Sequence, residues 1–225
     1  MKEYALSVDC CSTWTTLGLA ENGSVRGEIN IDAGKNQSAV LPGLFQQLLE
    51  SFFLKPEDIS LFGVVTGPGS FTGIKVGISF VSFLAWAGGK KVVPLSSLEC
   101  LAFEKIGKPG GIAASVLWGG GGRIYGGLYT SKGNASLLTP LLQEGTYTPE
   151  SFLEAFSSTG YSLRDVLWLT DRPEKTAHLF SLTEDLFERV IPSGASIAEL
   201  TLMHRERARC PSEIRAAYFR DPDVG

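Results

Sequence analysis

Three short runs at the start of the chain, residues 4–10, 14–20 and 25–31, are rich in β-branched, aromatic and aliphatic side chains and are separated by Ser/Thr or Glu-Asn-Gly turns. They predict a meander of three antiparallel strands. Over residues 40–53 the period changes: Leu41, Phe45, Leu48 and Phe52 recur at steps of four, three and four, one stripe of a helix, with Pro42 tolerated near its first turn. Residues 62–66 then read as a buried strand, 67–72 as a turn, 73–87 as a helix and 92–95 as a strand. The first half is therefore βββαβαβ.

After Ser96 the order begins again. Residues 112–118, 123–130 and 136–142 predict three strands, Thr148-Pro149-Glu150 starts a helix with a cap, a first-turn proline and an acid, and 166–170 is a strand. Helices are expected around 174–189 and 196–207. Three antiparallel strands followed by alternating helix and strand, twice over, predict an α/β protein of two similar lobes, residues 1–100 and 101–225, with the boundary near 96–110.

Composition narrows the function classes. Of 225 residues 44% are hydrophobic and 20% charged, which supports packed cores and excludes general disorder. Twenty Lys and Arg against 24 Asp and Glu give a net charge of −4, so no global field draws the chain onto nucleic acid. The start shows no basic and apolar leader pattern, and glycines and Pro68 break up the weakly charged stretch 61–88, so a cytoplasmic protein without a membrane span is expected. Cys10, Cys11, Cys100 and Cys210 form no CxxC pair, which predicts neither a zinc site nor a disulfide scaffold.

The stretch Gly67-Pro68-Gly69-Ser70-Phe71-Thr72-Gly73 lies between a predicted strand and helix, where glycines permit close backbone approach and Ser70 or Thr72 can cap exposed amides. A helix start of this kind can hold an anion. The spacing is GxGxxxG, however, and lacks the Gly-Lys-Ser/Thr ending of a phosphate loop, so a structural turn is the favoured reading. The helix behind it carries two apolar stripes, Ile74, Ile78, Val81 and Ala85 on one side and Val76, Phe80, Phe83 and Ala87 on another. It must be covered on more than one side, by core or by a partner.

These residues resemble a known family. ALSVDCCSTWTTLGLA, SAVLPGLFQQLLE, FGVVTGPGSFTGIKVGISFVSFLAWA and VVPLSSLECLA are similar to the bacterial tRNA threonylcarbamoyladenosine biosynthesis protein TsaB family, also called YeaZ, and Tyr218-Phe219-Arg220 is similar to its closing element. The match is close over the first hundred residues and loose beyond 110. The resemblance implies an actin-like, sugar-kinase-like ATPase fold. It also implies a noncatalytic scaffold acting with the catalytic paralogue TsaD and the ATPase TsaE, which together transfer a threonylcarbamoyl group to the adenosine beside the anticodon of tRNA. By the same resemblance the chain binds no cofactor alone, the isolated protein pairs with itself, and tRNA is met only through the complex; a nucleotide at the heterodimer interface stays open. The paralogue contact falls on the two N-terminal helices, where Ala39, Gly43, Gln46 and Glu50 lie opposite the apolar stripe of the first, and Lys75, Ser79, Ser82 and Trp86 share a face of the second. Asn36-Gln37 and the run Trp118-Gly119-Gly120-Gly121-Gly122-Arg123 depart from the family pattern.

The enzyme readings are weaker. An independent ATP-dependent phosphotransferase of this fold is the alternative, but Cys10-Cys11-Ser12 after Asp9 offers no glycine for phosphate, and Asp9 is expected to satisfy its own turn. His178 and His204 are too few and too far apart for a metallopeptidase, and Ser70 stands in no GxSxG elbow. Arg205, Arg207, Arg209 and Arg215 are diluted by Glu206 and Glu213 and read as a solvated face.

Overall fold

A computed structural model describes residues 2–134 and 137–217. Two compact units emerge, one built from residues up to Ser97 together with Pro192–Ala217, the other from Leu98–Ile191. The first holds β1 (Tyr4–Asp9), β2 (Trp14–Glu21), β3 (Ser24–Asp32), α1 (Gln37–Glu50), β4 (Ile59–Val65), α2 (Phe71–Ala87) and β5 (Lys91–Leu95), with strand order β3-β2-β1-β4-β5. The meander is antiparallel, and β1, β4 and β5 run parallel.

The second unit repeats this with β6 (Gly111–Gly120), β7 (Arg123–Ser131), β8 (Thr139–Tyr147), α4 (Pro149–Ser157), β9 (Leu167–Thr170), α5 (Pro173–Phe180) and β10 (Phe187–Arg189), in the order β10-β9-β6-β7-β8. The expected βββαβα order is thus present twice, in two mixed five-stranded sheets. Two helices complete the pattern, α3 (Ser97–Ile106) after β5 and α6 (Gly194–Met203) after β10. Nearly all of α3 belongs to the second unit and α6 to the first, so each unit takes its last helix from the other half of the sequence.

That exchange corrects the continuous division into 1–100 and 101–225. Side-chain size on the first sheet gives the reason. One face presents Leu6, Val8, Leu17, Leu19, Phe62 and Val64 to α1 and α2. The alternate positions are Ala5, Ser7, Gly18, Ala20 and Gly63, a shallow face on which α6 lies very close: a Cβ on Gly18 would collide with the Gly194 carbonyl, and one on Gly63 with the Thr201 hydroxyl. Ser7 Oγ and Thr201 Oγ1 are hydrogen-bonded there at 2.7 Å.

In the second unit, Phe152 and Phe156 of α4, Phe180 of α5 and Phe187 of β10 surround the buried Trp168, with ring centroids 5.1 to 6.2 Å apart. Tyr129, pointing away from Leu128, donates to Glu144 at 2.6 Å and is raised in pKa by burial, with Glu144 and then Glu99 and Cys100 of α3 adding to the shift.

Three expectations change. Residues 97–106, read as a boundary, are the helix α3, whose Leu98, Leu101, Ala102, Phe103 and Ile106 are buried. The single helix expected over 174–189 ends at Phe180, where Ser181 is left-handed with φ 53°, and the chain resumes as β10. Likewise α6 stops at Met203, short of the expected 207. The expected third strand starts at Ser136, which lies outside the described residues, as do Tyr218-Phe219-Arg220; β8 is found at Thr139–Tyr147.

Candidate functional site

The glycine turn closes on the first β-turn of the sheet. Asp9 Oδ1 accepts from the Cys11 amide at 2.7 Å, and the Cys11 carbonyl accepts from the Ser70 amide at 2.7 Å. Ser70 caps α2, its Oγ accepting from Gly73 N–H at 3.3 Å. A Cβ on Gly69 would strike the Cys11 carbonyl, and one on Gly73 the Cys10 carbonyl. The glycine turn is therefore packed directly against the backbone of Cys10 and Cys11. Gly67 has φ 116°, and Pro68 is buried behind it, while Thr72 is exposed in the first turn of α2.

Gln37 locks the same turn from the other side. Its Nε2 lies 3.1, 3.0 and 2.9 Å from the carbonyl oxygens of Cys10, Ser12 and Trp14, and the residue is only 5% exposed. Sequence reasoning noted Gln37 as a departure without a role. A buried amide at a helix start beside a polar turn is the signal that finds it.

Burial shapes the titration of this corner. It raises the pKa of Asp9 against the hydrogen bonds from Cys11, and it raises the Cys10 thiol to about 12, with the Asp9 charge adding to the effect. Cys11 is raised in the same way, and its Sγ contacts the Val65 carbonyl at 3.4 Å. Thiols held protonated are poor nucleophiles and poor metal ligands. Cys100 is also buried, and Cys210 is exposed. His178 is exposed on α5, and His204 is buried as the residue that ends α6.

The helices α1 and α2 lie side by side, with Phe45 and Phe80 in edge contact at 5.4 Å. Outward from that seam the predicted positions fall on solvent. Ala39, Gly43, Gln46 and Glu50 are exposed along α1, where Gln46 donates to Glu50 at 2.7 Å and Gly43 has nothing near its Cα substituent position. On α2, Lys75, Ser79 and Trp86 are exposed and Ser82 is half-buried. Sequence reasoning placed Phe83 on a stripe to be covered with Val76 and Phe80. In the structure Val76 and Phe80 are half-buried, but Phe83 is 65% and Trp86 73% exposed, their rings 6.4 Å apart. Lys75 Nζ sits 3.8 Å over the Phe71 ring, which keeps a third aromatic on the outer arc. Phe71, Lys75, Ser79, Phe83 and Trp86 thus form one exposed face with the half-buried Ser82 at its margin, three aromatics beside small hydroxyls. Exposed aromatics beside small residues are a chemistry common to protein–protein surfaces.

In the second unit the departure from the family pattern is an open hairpin. Gly120, Gly121 and Gly122 have φ of 78°, 57° and 71°, and Trp118 is 47% exposed with Lys175 Nζ 5.5 Å from its ring. No group of three His, Cys, Asp or Glu side chains that could hold a metal is found among the described residues. No helix among them is long and apolar enough to cross a membrane.

Comparison with known proteins adds a family. A family model described as TsaD: tRNA N6-adenosine threonylcarbamoyltransferase matches residues 27–153, more than half of the chain. A relative named tRNA threonylcarbamoyladenosine biosynthesis protein TsaB in Bacillus subtilis (strain 168) is 27% identical over 210 residues, covering 93% of this chain and 84% of the relative. A protein of the same name in Escherichia coli (strain K12) is 26% identical over 97 residues, 43% of this chain and 42% of its own. Two solved structures have the same fold at 16% identity. One, described as an uncharacterized protein with similarity to peptidase YEAZ from Pseudomonas aeruginosa, has a TM-score of 0.81 and covers 97% of this chain and 100% of its own. The other, YeaZ from Pseudomonas aeruginosa, has a TM-score of 0.80 and covers 96% and 99%.

Proposed function

The chain belongs to the TsaD family of tRNA N6-adenosine threonylcarbamoyltransferases, and from that premise we propose that it works in threonylcarbamoyladenosine biosynthesis as a noncatalytic scaffold, in the cytoplasm. The names of its relatives support the pathway. Within it, the chain pairs with a catalytic TsaD paralogue and with the ATPase TsaE, and pairs with itself when isolated. A nucleotide belongs, on this reading, to the pair rather than to this chain alone.

The observation that carries the scaffold reading is the outer face of α2, where Phe83 and Trp86 are exposed among Lys75, Ser79 and Ser82. Largely exposed aromatics of this size are stabilised by a partner that removes them from water, and the small neighbours let a second helix come close. The noncatalytic half of the reading is supported by the turn after β1, where Cys10-Cys11-Ser12 has no glycine to let backbone amides close on a phosphate and the Cys11 carbonyl is bonded to the Ser70 amide.

Calorimetry with purified TsaD tests it. Ser79→Arg and Gly43→Arg should abolish binding in a folded protein, and Trp86→Ala should weaken it by about 2 kcal/mol, the range of an aromatic anchor at an interface. Unchanged affinity in Ser79→Arg would move the contact elsewhere. Magnesium-dependent ATP turnover by the chain alone, lost in Asp9→Ala, would overturn the noncatalytic role.

A further inference from the structure

The four arginines of the segment after α6 look diluted in the sequence, but the fold adds two lysines to them. Val92 in β5 and Arg209 exchange backbone hydrogen bonds, both 2.9 Å long, as an isolated antiparallel pair on the outer edge of the first sheet. Residues opposite each other in such a pair lie about 5 Å apart. Lys90 and Lys91 therefore stand beside Arg209, and Arg215 lies six residues farther along the same segment, its Nη1 donating to the Ser212 and Ile214 carbonyls at 2.6 and 3.0 Å.

The alternation of a strand sets their directions. Val92 is buried under α2, so Arg209 opposite it emerges on the α2 side of the edge, and Lys91 on the other. Lys91, Arg209 and Arg215 are exposed and Lys90 half-buried. Of the acids of the segment, Glu206 lies 3.7 Å from Arg207, and Glu213 accepts from the Cys210 amide at 3.0 Å and keeps its charge; Arg205 pairs with Glu3 at 2.7 Å. Among the described residues no ion pair involves Lys90, Lys91, Arg209 or Arg215. In a chain of net charge −4 this is a local excess of cations, with Lys91 and Arg209 on the two sides of one sheet edge.

We propose that this edge, Lys90, Lys91, Arg209 and Arg215, holds the phosphate backbone of RNA, giving the scaffold a direct contact with its tRNA. The inference rests on the proposed role in tRNA modification. Phosphate fits because the bonded pair Val92 and Arg209 sets Lys91 and Arg209 along an extended edge, and a ribose-phosphate chain is a linear array of charges.

The test is fluorescence anisotropy of an unmodified tRNA transcript with the full purified chain across a salt series. Four phosphate contacts predict a slope of log K against log salt of about −3. Lys91→Glu with Arg209→Glu should weaken binding at least about tenfold and make the slope shallower by about 2. Lys91→Gln with Arg209→Gln serves if the reversal does not fold, and Lys91→Arg with Arg209→Lys should bind as the parent does. Lys35→Glu with Arg164→Glu, the same charge change on exposed residues elsewhere, should lose little. Absence of salt-dependent binding, or an equal loss in that control, overturns the proposal. So does displacement of tRNA by poly-aspartate at equal charge, which would make the surface one for acidic proteins. A parallel titration with TsaD separates the two readings: a chain that binds TsaD but not tRNA defeats only this proposal, and one that binds tRNA but not TsaD defeats the scaffold reading.

Discussion

Two glycine-rich turns follow strands in this molecule, and they are glycine-rich for different reasons. In the first unit, Gly69 and Gly73 are required by space, because any side chain there meets the carbonyl oxygens of Cys11 and Cys10. In the second, Gly122 is required only by backbone conformation: like Gly121 it has positive φ, and it has open space around it. The first turn is a joint in a packed core, and the second is a loop presented to solvent. A run of glycines in a sequence does not say which it is, since the distinction lies in what stands opposite.

The comparison is broken most directly by filling the joint. Gly73→Ala should destabilise the protein by about 3 kcal/mol in chemical denaturation, because the clash is with the Cys10 carbonyl, backbone just past β1 that Gln37 holds, rather than with a movable side chain. A cost below that would show that the turn can open and that the phosphate reading deserves a second test. Next in size is Gln37→Ala, which strips three turn carbonyls of their common donor and should cost about 2 kcal/mol. Gln37→Glu should cost no less, since a carboxylate would face carbonyl oxygens. In the solvent loop, Gly122→Ala should cost only about 1 kcal/mol, the penalty of a left-handed residue with a side chain. Should Gly122→Ala prove as damaging as Gly73→Ala, the hairpin is packed against something and the contrast fails.

Much of the first unit was legible because its sheet alternates large and small residues and its helices keep a clean period. Leu41, Phe45 and Leu48 announce α1, and the repeated order of strands and helices announces two lobes. What was not legible depended on distant pairing. The α3 helix was hidden because its apolar residues sit beside the loop composition expected of a boundary, and the return of α6 to the first sheet follows only once Gly18 and Gly63 are seen to share a face. In the candidate site, the helix faces could be read from spacing, and all the positions it put outward are exposed except Ser82, which is half-buried. Gln37, Phe83 and the pairing of Arg209 with Val92 could not, because each gains its meaning from a neighbour far away in sequence or from the end of a stripe left uncovered.

The smallest effect expected is also the one that separates a joint from an anion cradle. Burial raises the pKa of Asp9 above 3.8 despite the bonds from Cys11, so the fold favours its protonated form. A carboxyl shifted upward contributes stability that is fully present below the unfolded value and is lost as pH rises through the folded one. Asp9→Asn keeps an oxygen to accept from the Cys11 amide and does not titrate. The stability of Asp9→Asn relative to the parent should therefore climb as pH rises from about 3.8 and then level off, measured as paired thermal unfolding curves in matched buffers. The second unit supplies a control, since Asp171 is also raised by burial but is opposed by the charges of Arg172 and Arg189; Asp171→Asn gives up those attractions and should gain less over the same window. If instead the parent gains on Asp9→Asn as pH rises, the turn stabilises an anion at Asp9, and the first glycine joint is closer to a phosphate cradle than its packing implies.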